Sequence, residues 1–465
     1  MPPESRSIFC ARALLPDGWA RDVRLSIAAG KFAGIERHAH AQAGDERVAV
    51  ALPGIANVHS HGFQRGMAGL TEYRGPEADN FWSWRELMYR FVGRMTPEDL
   101  EAVTAQAYVE MLEGGFTRVG EFHYVHHDID GKAYSDPAEM MARVVAAADA
   151  SGIALTLLPV FYAHANFGGA PPAPGQRRFI TDVDGFARLL DAGRALIARL
   201  PDARVGVAPH SLRAVTPEEL DRVVALVPGM PVHIHAAEQV REVEDCVAWS
   251  GARPVQWLLE HADVDAHWCL VHATHLEDDE IAGLARSGAV AGFCPVTEAN
   301  LGDGIAPAAP YVAAGGTFGI GTDSNVRISV AEELRQLEYC QRLRDRARNV
   351  LAAPASIRGA PSTGRALYSN ALRGGERALG GIGASGINVG AAADCLSLKV
   401  EMPQFETDRG PGDDALLDSF VFASGVRIEH VWRAGRRVIA DGSHVARTGI
   451  EARYRAALER LLGCI

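Results

Sequence analysis

Short apolar runs alternate with amphipathic helical stretches about eight times through the middle of the chain, a rhythm that fits a parallel barrel better than a sandwich. The candidate barrel strands are VALPGIANVH, TRVGEFHY, ALTLLPVFY, RVGVAPHS, MPVHIHA, CLVHAT, AVAGFCP and GTFGIGTD. Each ends in polar or reactive residues. In a (β/α)8 barrel the chemistry collects on the loops after the strands, so these endings read as an active-site rim. Among the intervening stretches, PEDLEAVTAQAYVEMLEGG and VAEELRQLEYCQRLRDRARN have helical period; the second runs from acidic to basic, matching the helix dipole. The two chain ends differ from the middle. SIFCARALL, a turn at Pro16-Asp17-Gly18 and VRLSIAAGKFAGIE predict short strands, and ADCLSLKV, DSFVFAS, IEHVWRAG and RRVIADG repeat that pattern near the C-terminus. The expected architecture is α/β: a (β/α)8 TIM-type barrel over residues 52–385, with a small β-sandwich domain formed from residues 1–51 and 386–465, the latter closing on a terminal helix. The proline-rich GGAPPAPGQRR, Gly168 to Arg178, predicts a mobile loop after the third barrel strand.

Composition narrows the function classes. A chain of 465 residues, 48% hydrophobic and 22% charged, has room for a large barrel and a companion domain. Its net charge of -12 and lack of a basic run argue against nucleic acid. An anionic substrate would gain nothing from the global field and would have to be met by local arginines. The seven cysteines are scattered without a Cys-x-x-Cys pair, which predicts reduced thiols. Met1 to Ala20 has no apolar core of signal length, and no run of about 18 apolar residues occurs. A soluble, cytoplasmic protein is expected.

The strongest chemical signal is His59-Ser60-His61 at the end of the first candidate barrel strand, because residues two apart on a strand share a face and both imidazoles can meet one ion. His235 ends the fifth candidate strand with Glu238 three residues on. His272 ends the sixth, and Asp323 ends the eighth within GTDSN. His233 shares strand parity with His235 but lies deeper, where packing is its expected role. His267 and His275 are expected at helix ends or in loops, with His275 the rival of His272 as the catalytic imidazole.

Taken together, these residues resemble the mononuclear deaminase branch of the amidohydrolase superfamily, over essentially the whole chain. The resemblance implies His59, His61, His235 and Asp323 as ligands of one divalent metal, zinc by default with ferrous iron as the alternative. The fourth candidate strand has no lysine that could be carboxylated to bridge two ions, which favours one. Glu238 is then the residue expected to move protons between a metal-activated water and the leaving nitrogen. His272 would polarise the water or the tetrahedral intermediate, and Asp323 could share the proton transfer. Gln64, Arg85, Tyr124, and His210 with Arg213 in PHSLR resemble the rim of formimidoylglutamate deiminases, which implies that these residues bind the glutamate part of a small dicarboxylate. A planar guanidinium matches a carboxylate with paired hydrogen bonds, and two arginines could meet two carboxylates. Arg65 is expected to be structural. The implied reaction is deimination of N-formimino-L-glutamate to N-formyl-L-glutamate and ammonia, a step of histidine degradation, by a homodimer. A guanine or S-adenosylhomocysteine deaminase, an imidazolonepropionase and a non-catalytic barrel remain the alternatives.

Overall fold

The computed structural model describes residues 6–74, 79–352, 361–381, 386–405 and 412–463. Cys464 and the chain end at residue 465 lie outside them, and residues 382–385, just before the expected domain boundary, do too.

Two sheets organise the chain. The first contains β1 (Arg6–Leu15), β2 (Gly18–Ala28), β3 (Lys31–Glu36) and β4 (Glu46–Pro53). The second begins with β5 (Ile55–Ser60), β6 (Phe116–His123) and β7 (Ala154–Phe161), followed by the short β8 (Arg204–Val205) and β9 (Ala208–Pro209). It continues through β10 (Val232–Ala236), β11 (Trp268–His272), β12 (Val290–Phe293) and β13 (Thr317–Ile320). The chain then returns to the first sheet with β14 (Cys395–Val400), β15 (Val426–Arg433), β16 (Arg436–Ala440) and β17 (Ser443–His444).

The second sheet is parallel, in the order β10-β11-β12-β13-β5-β6-β7-β8, with β9 also on β7. Single parallel bridges Val207 to Val232 and Ser211 to His235 join its two ends, so β8 and β9 together supply the fourth barrel strand. Close approach at Gly206 explains that break: a Cβ there would lie 2.4 Å from the Pro231 carbonyl. The first sheet runs β17-β16-β15-β14-β4-β1-β2-β3, so the two chain ends build one small domain. Ile8, Cys10, Val23, Leu25, Phe32 and Trp432 form its own buried cluster, whereas Val50, Leu52, Leu396 and Leu398 join the core shared with the barrel. The helix Arg447–Leu462 closes the chain and ties to the barrel through Arg460 and the buried Asp99.

Two expectations need correction. VALPGIANVH is not one barrel strand: it divides at Gly54, where β4 stays in the small domain and β5 enters the barrel. DSFVFAS is not a strand but lies largely in the helix Asp414–Phe422, whose buried Leu416, Leu417, Phe420 and Val421 repeat at helical spacing once DALL is included. The 168–178 segment is anchored at its C-terminal end. Arg178 is 1% exposed and donates from Nε to the His127 carbonyl at 2.8 Å and from Nη1 to the Met95 carbonyl at 2.9 Å. Gln176 donates to the Tyr162 hydroxyl at 2.7 Å.

Candidate active site

The mouth of the barrel collects the C-terminal ends of β5, β10, β11 and β13. His59 is the penultimate residue of β5 and His61 follows the strand, with ring centroids 4.6 Å apart. His235 comes from β10, and its Nε2 lies 3.1 Å from the Nε2 of His59. Asp323 lies just beyond β13, and its Oδ1 is 3.3 Å from the Nε2 of both His59 and His61. All four residues are buried.

The neighbouring backbone decides which ring atoms face inward. The Nδ1 of His61 donates to the Phe122 carbonyl at 3.0 Å, and that of His235 donates to the His210 carbonyl at 2.9 Å. With those protons committed, their Nε2 atoms present lone pairs to the centre. Burial pushes the His59 imidazole down to about 3 and lowers those of His61 and His235, so the rings are neutral at ordinary pH. Burial alone would raise the Asp323 carboxyl, but its imidazole neighbours hold it well below the usual carboxylate range. Neutral imidazole lone pairs and an ionised carboxylate therefore converge on one point, with the facing Nε2 atoms of His59 and His235 otherwise opposed. This donor set fits a divalent cation of the zinc type.

The geometry is supported from behind. Asn325 donates through Nδ2 to the carbonyls of His61 and Asp323 at 3.1 and 3.0 Å and to Ser60 Oγ at 3.2 Å. Its Oδ1 accepts from Thr322 Oγ1 at 2.6 Å, which accepts in turn from Asn57 at 2.7 Å. The GTDSN segment is thereby bonded to β5. Gly321 permits the approach, since a Cβ there would lie 2.9 Å from the Cβ of His59. Left-handed φ values at Ala237 (54°), His272 (70°), Ala273 (47°) and Asp323 (43°), all non-glycine, surround the same point; such strain persists only where surroundings enforce it.

Glu238 and His272 face each other beside this cluster, with His272 Nε2 3.7 Å from Glu238 Oε1 and 3.8 Å from Asp323 Oδ2. Burial raises the Glu238 carboxyl, whereas the surrounding carboxylates raise His272 against the opposing effect of burial. A cavity of about 60 Å³ lies above the cluster, and its lining includes Gln64, Arg85, Tyr124, His210 and Arg213. Gln64 donates to the Tyr124 hydroxyl at 3.0 Å, leaving its own buried Oε1 without a partner. Arg85 and Arg213 flank Trp82, with guanidinium carbons 4.5 and 5.9 Å from the ring centroid. Among the described residues Arg85 has no carboxylate at ion-pair distance, Arg213 has only Glu238 at 3.9 Å, and the buried Nε of each is unpartnered.

The remaining histidines and Arg65 separate cleanly from the site. His233 is fully buried and donates to the Ala378 carbonyl at 2.8 Å, His267 pairs with Asp265 at 3.0 Å, and His275 contacts the Asp303 carbonyl at 2.9 Å. Arg65 pairs with Glu110 at 2.6 Å. Sequence reasoning missed Trp82, Met88 and Tyr89, although they stand at helical spacing from Arg85 in NFWSWRELMYRF and could have been found from that period. It also missed the carbonyls of Phe122 and His210, which leave no mark in side-chain identity.

A barrel of this topology with an imidazole and carboxylate cluster at its mouth defines a class of hydrolases, and the family comparison agrees: the Amidohydrolase family model matches residues 50–438, and the chain belongs to that family. Residues 5–49 match the model for the formimidoylglutamate deiminase HutF N-terminal domain. The chain is 52% identical to the formimidoylglutamate deiminase of Pseudomonas aeruginosa over 98% of this chain and 99% of that one. It is 27% identical to a 5-methylthioadenosine/S-adenosylhomocysteine deaminase of Natronomonas pharaonis, covering 85% of this chain and 83% of that one. Among solved structures, an amidohydrolase from Brucella melitensis superposes with a TM-score of 0.94 at 55% identity, covering 98% of this chain and all (100%) of the other.

Proposed function

We propose that the protein hydrolyses N-formimino-L-glutamate to N-formyl-L-glutamate and ammonia. The observation that carries this reading is the pair of guanidiniums, Arg85 and Arg213, held beside one indole above the imidazole and carboxylate cluster, with Glu238 at 3.9 Å from Arg213 the one carboxylate at ion-pair distance of either among the described residues. A dicarboxylate bearing a terminal amidine would satisfy both arginines while its formimino carbon reached the cluster. The name of the 52% identical relative supports the same substrate.

His59, His61, His235 and Asp323 would hold the ion, which we assign as a single zinc. A divalent metal bound there would lower the pKa of water to about 7 and so provide a nucleophile at neutral pH. Glu238, beside the cluster and raised by its burial, takes the proton that water gives up and delivers it to the departing nitrogen. His272 donates a hydrogen bond to the oxygen added to the formimino carbon, and Asp323 shares the first proton transfer. Arg85 and Arg213 each clamp one carboxylate, while Gln64, Tyr124 and His210 orient the chain between them. Water adds to the carbon, the bond to the terminal nitrogen breaks, and ammonia leaves with the formyl group still on glutamate. The enzyme would work as a homodimer, as the family resemblance implies, in the cytoplasm, where Cys10, Cys246, Cys269, Cys294, Cys340 and Cys395, all unpaired, would stay reduced.

Ammonia release from metal-replete protein tests the assignment, with N-formimino-L-glutamate, guanine and S-adenosylhomocysteine as substrates and His235→Ala as control. Turnover of formiminoglutamate alone, lost in the variant, is expected. Turnover of a purine compound alone would discard the role of the arginines.

A further inference from the structure

Glu298 has no part in the chemistry described so far, yet it is 4% exposed and touches the site from behind. It lies on the helix Pro295–Leu301, directly after β12. Its Oε1 accepts the backbone N–H of Cys294 at 2.8 Å and lies 3.3 Å from Nδ1 of His272. On the opposite side of that ring, Nε2 faces Glu238 and Asp323 at 3.7 and 3.8 Å. An imidazole turns about two side-chain bonds, so the partner at one nitrogen sets where the other points and which nitrogen carries the fixed proton. The backbone makes such a partner necessary. His272 and Ala273 are consecutive non-glycine residues in the left-handed region, at φ 70° and 47°, an arrangement that surrounding contacts must enforce. The carboxylate is itself immobilised by the Cys294 N–H.

We propose that Glu298 is a positioning residue for the hydrolysis: by accepting the Nδ1 proton of His272 it aims Nε2 into the space between Glu238 and Asp323, where the substrate carbon is attacked. The inference rests on the hydrolase reading above, in which His272 touches the reacting atoms. It separates Glu298 from an ordinary helix-start residue, whose carboxylate would serve the Cys294 N–H and nothing else.

A double-mutant cycle on the full-length, metal-loaded enzyme decides between the two. Glu298→Gln leaves an uncharged oxygen at the position that accepts from both the Cys294 N–H and His272 Nδ1, so it spares the helix start while removing the charge that makes Glu298 a strong acceptor for the His272 proton. The expected result is a kcat lower by about 10- to 100-fold, KM within about threefold, and unchanged metal content and melting temperature. On a His272→Ala background the same substitution should change kcat by less than about twofold, because the group through which Glu298 acts is gone. A Glu298→Gln enzyme with near-native kcat would overturn the proposal. So would losses that multiply across the cycle, or a kcat loss that disappears when activity is expressed per folded, metal-loaded subunit. Should Glu298→Gln fail to fold, Glu298→Asp replaces it in the cycle with the same criteria. Wild-type turnover is measured first across the substrate panel, and the cycle uses whichever compound is hydrolysed, so that failure of the formiminoglutamate assignment is read separately from failure of the Glu298 role.

Discussion

In the proposed reaction, Arg85 and Arg213 would carry the difference between a general deaminating centre and one that selects a dicarboxylate. A charge-assisted hydrogen bond in a buried site is worth roughly 1.5–3 kcal/mol, so losing one carboxylate clamp should weaken transition-state binding by about 10- to 100-fold. Arg85→Met and Arg213→Met, which preserve much of the apolar stem, are each expected to raise KM for formiminoglutamate by that order. Steady-state kinetics check this, and an unchanged KM in both variants would refute the substrate-binding assignment. At this scale the sequence was legible wherever strand parity or strand ends mark a residue: His59 and His61 two apart, His235 and His272 at strand ends, Asp323 after the eighth strand. It was not legible for Glu298, whose contact with His272 joins two separate elements and is not announced by residue type.

The seam between β5 and β13 is where elements become a site. Asn325 bonds to Ser60, His61, Thr322 and Asp323, so one buried amide holds the barrel's first and last strands in register behind two of the proposed ligands. Removing its side chain strands several buried polar groups, at a cost of about 1–3 kcal/mol, and loosens groups that orient ligands, which typically costs 10- to 100-fold in metal affinity or activity. Asn325→Ala should therefore lower the melting temperature and release the bound metal more readily to a competing chelator; a variant with native metal affinity would contradict this role for the seam. Element-level reading of the sequence succeeded where apolar runs were bounded by turns and failed at two boundaries. VALPGIANVH reads as one apolar run although Gly54 passes the chain from one sheet to another, and no local signal distinguishes the two sheets. DSFVFAS alternates well enough for a strand in isolation, but the preceding DALL restores the helical period.

Across the whole molecule, an acidic protein of net charge -12 concentrates cationic groups at one cleft. Arg241 also lies 4.9 Å from the Trp82 ring, so three guanidiniums surround a single indole at the barrel mouth. A net charge of that sign repels a dianion, so its capture would fall to these guanidiniums. In the proposed binding mode the substrate would enter with its carboxylates toward the arginines and its formimino carbon toward His59, His61, His235 and Asp323. The orientation has a direct chemical consequence, because the formimino carbon carries two C–N bonds and only the one to the terminal nitrogen lies away from the clamped glutamate. Proton NMR of the products from N-formimino-L-glutamate reports which bond breaks. The account predicts N-formyl-L-glutamate in step with ammonia and no free glutamate; formation of formamide and glutamate would show that the other bond is cleaved and would contradict it.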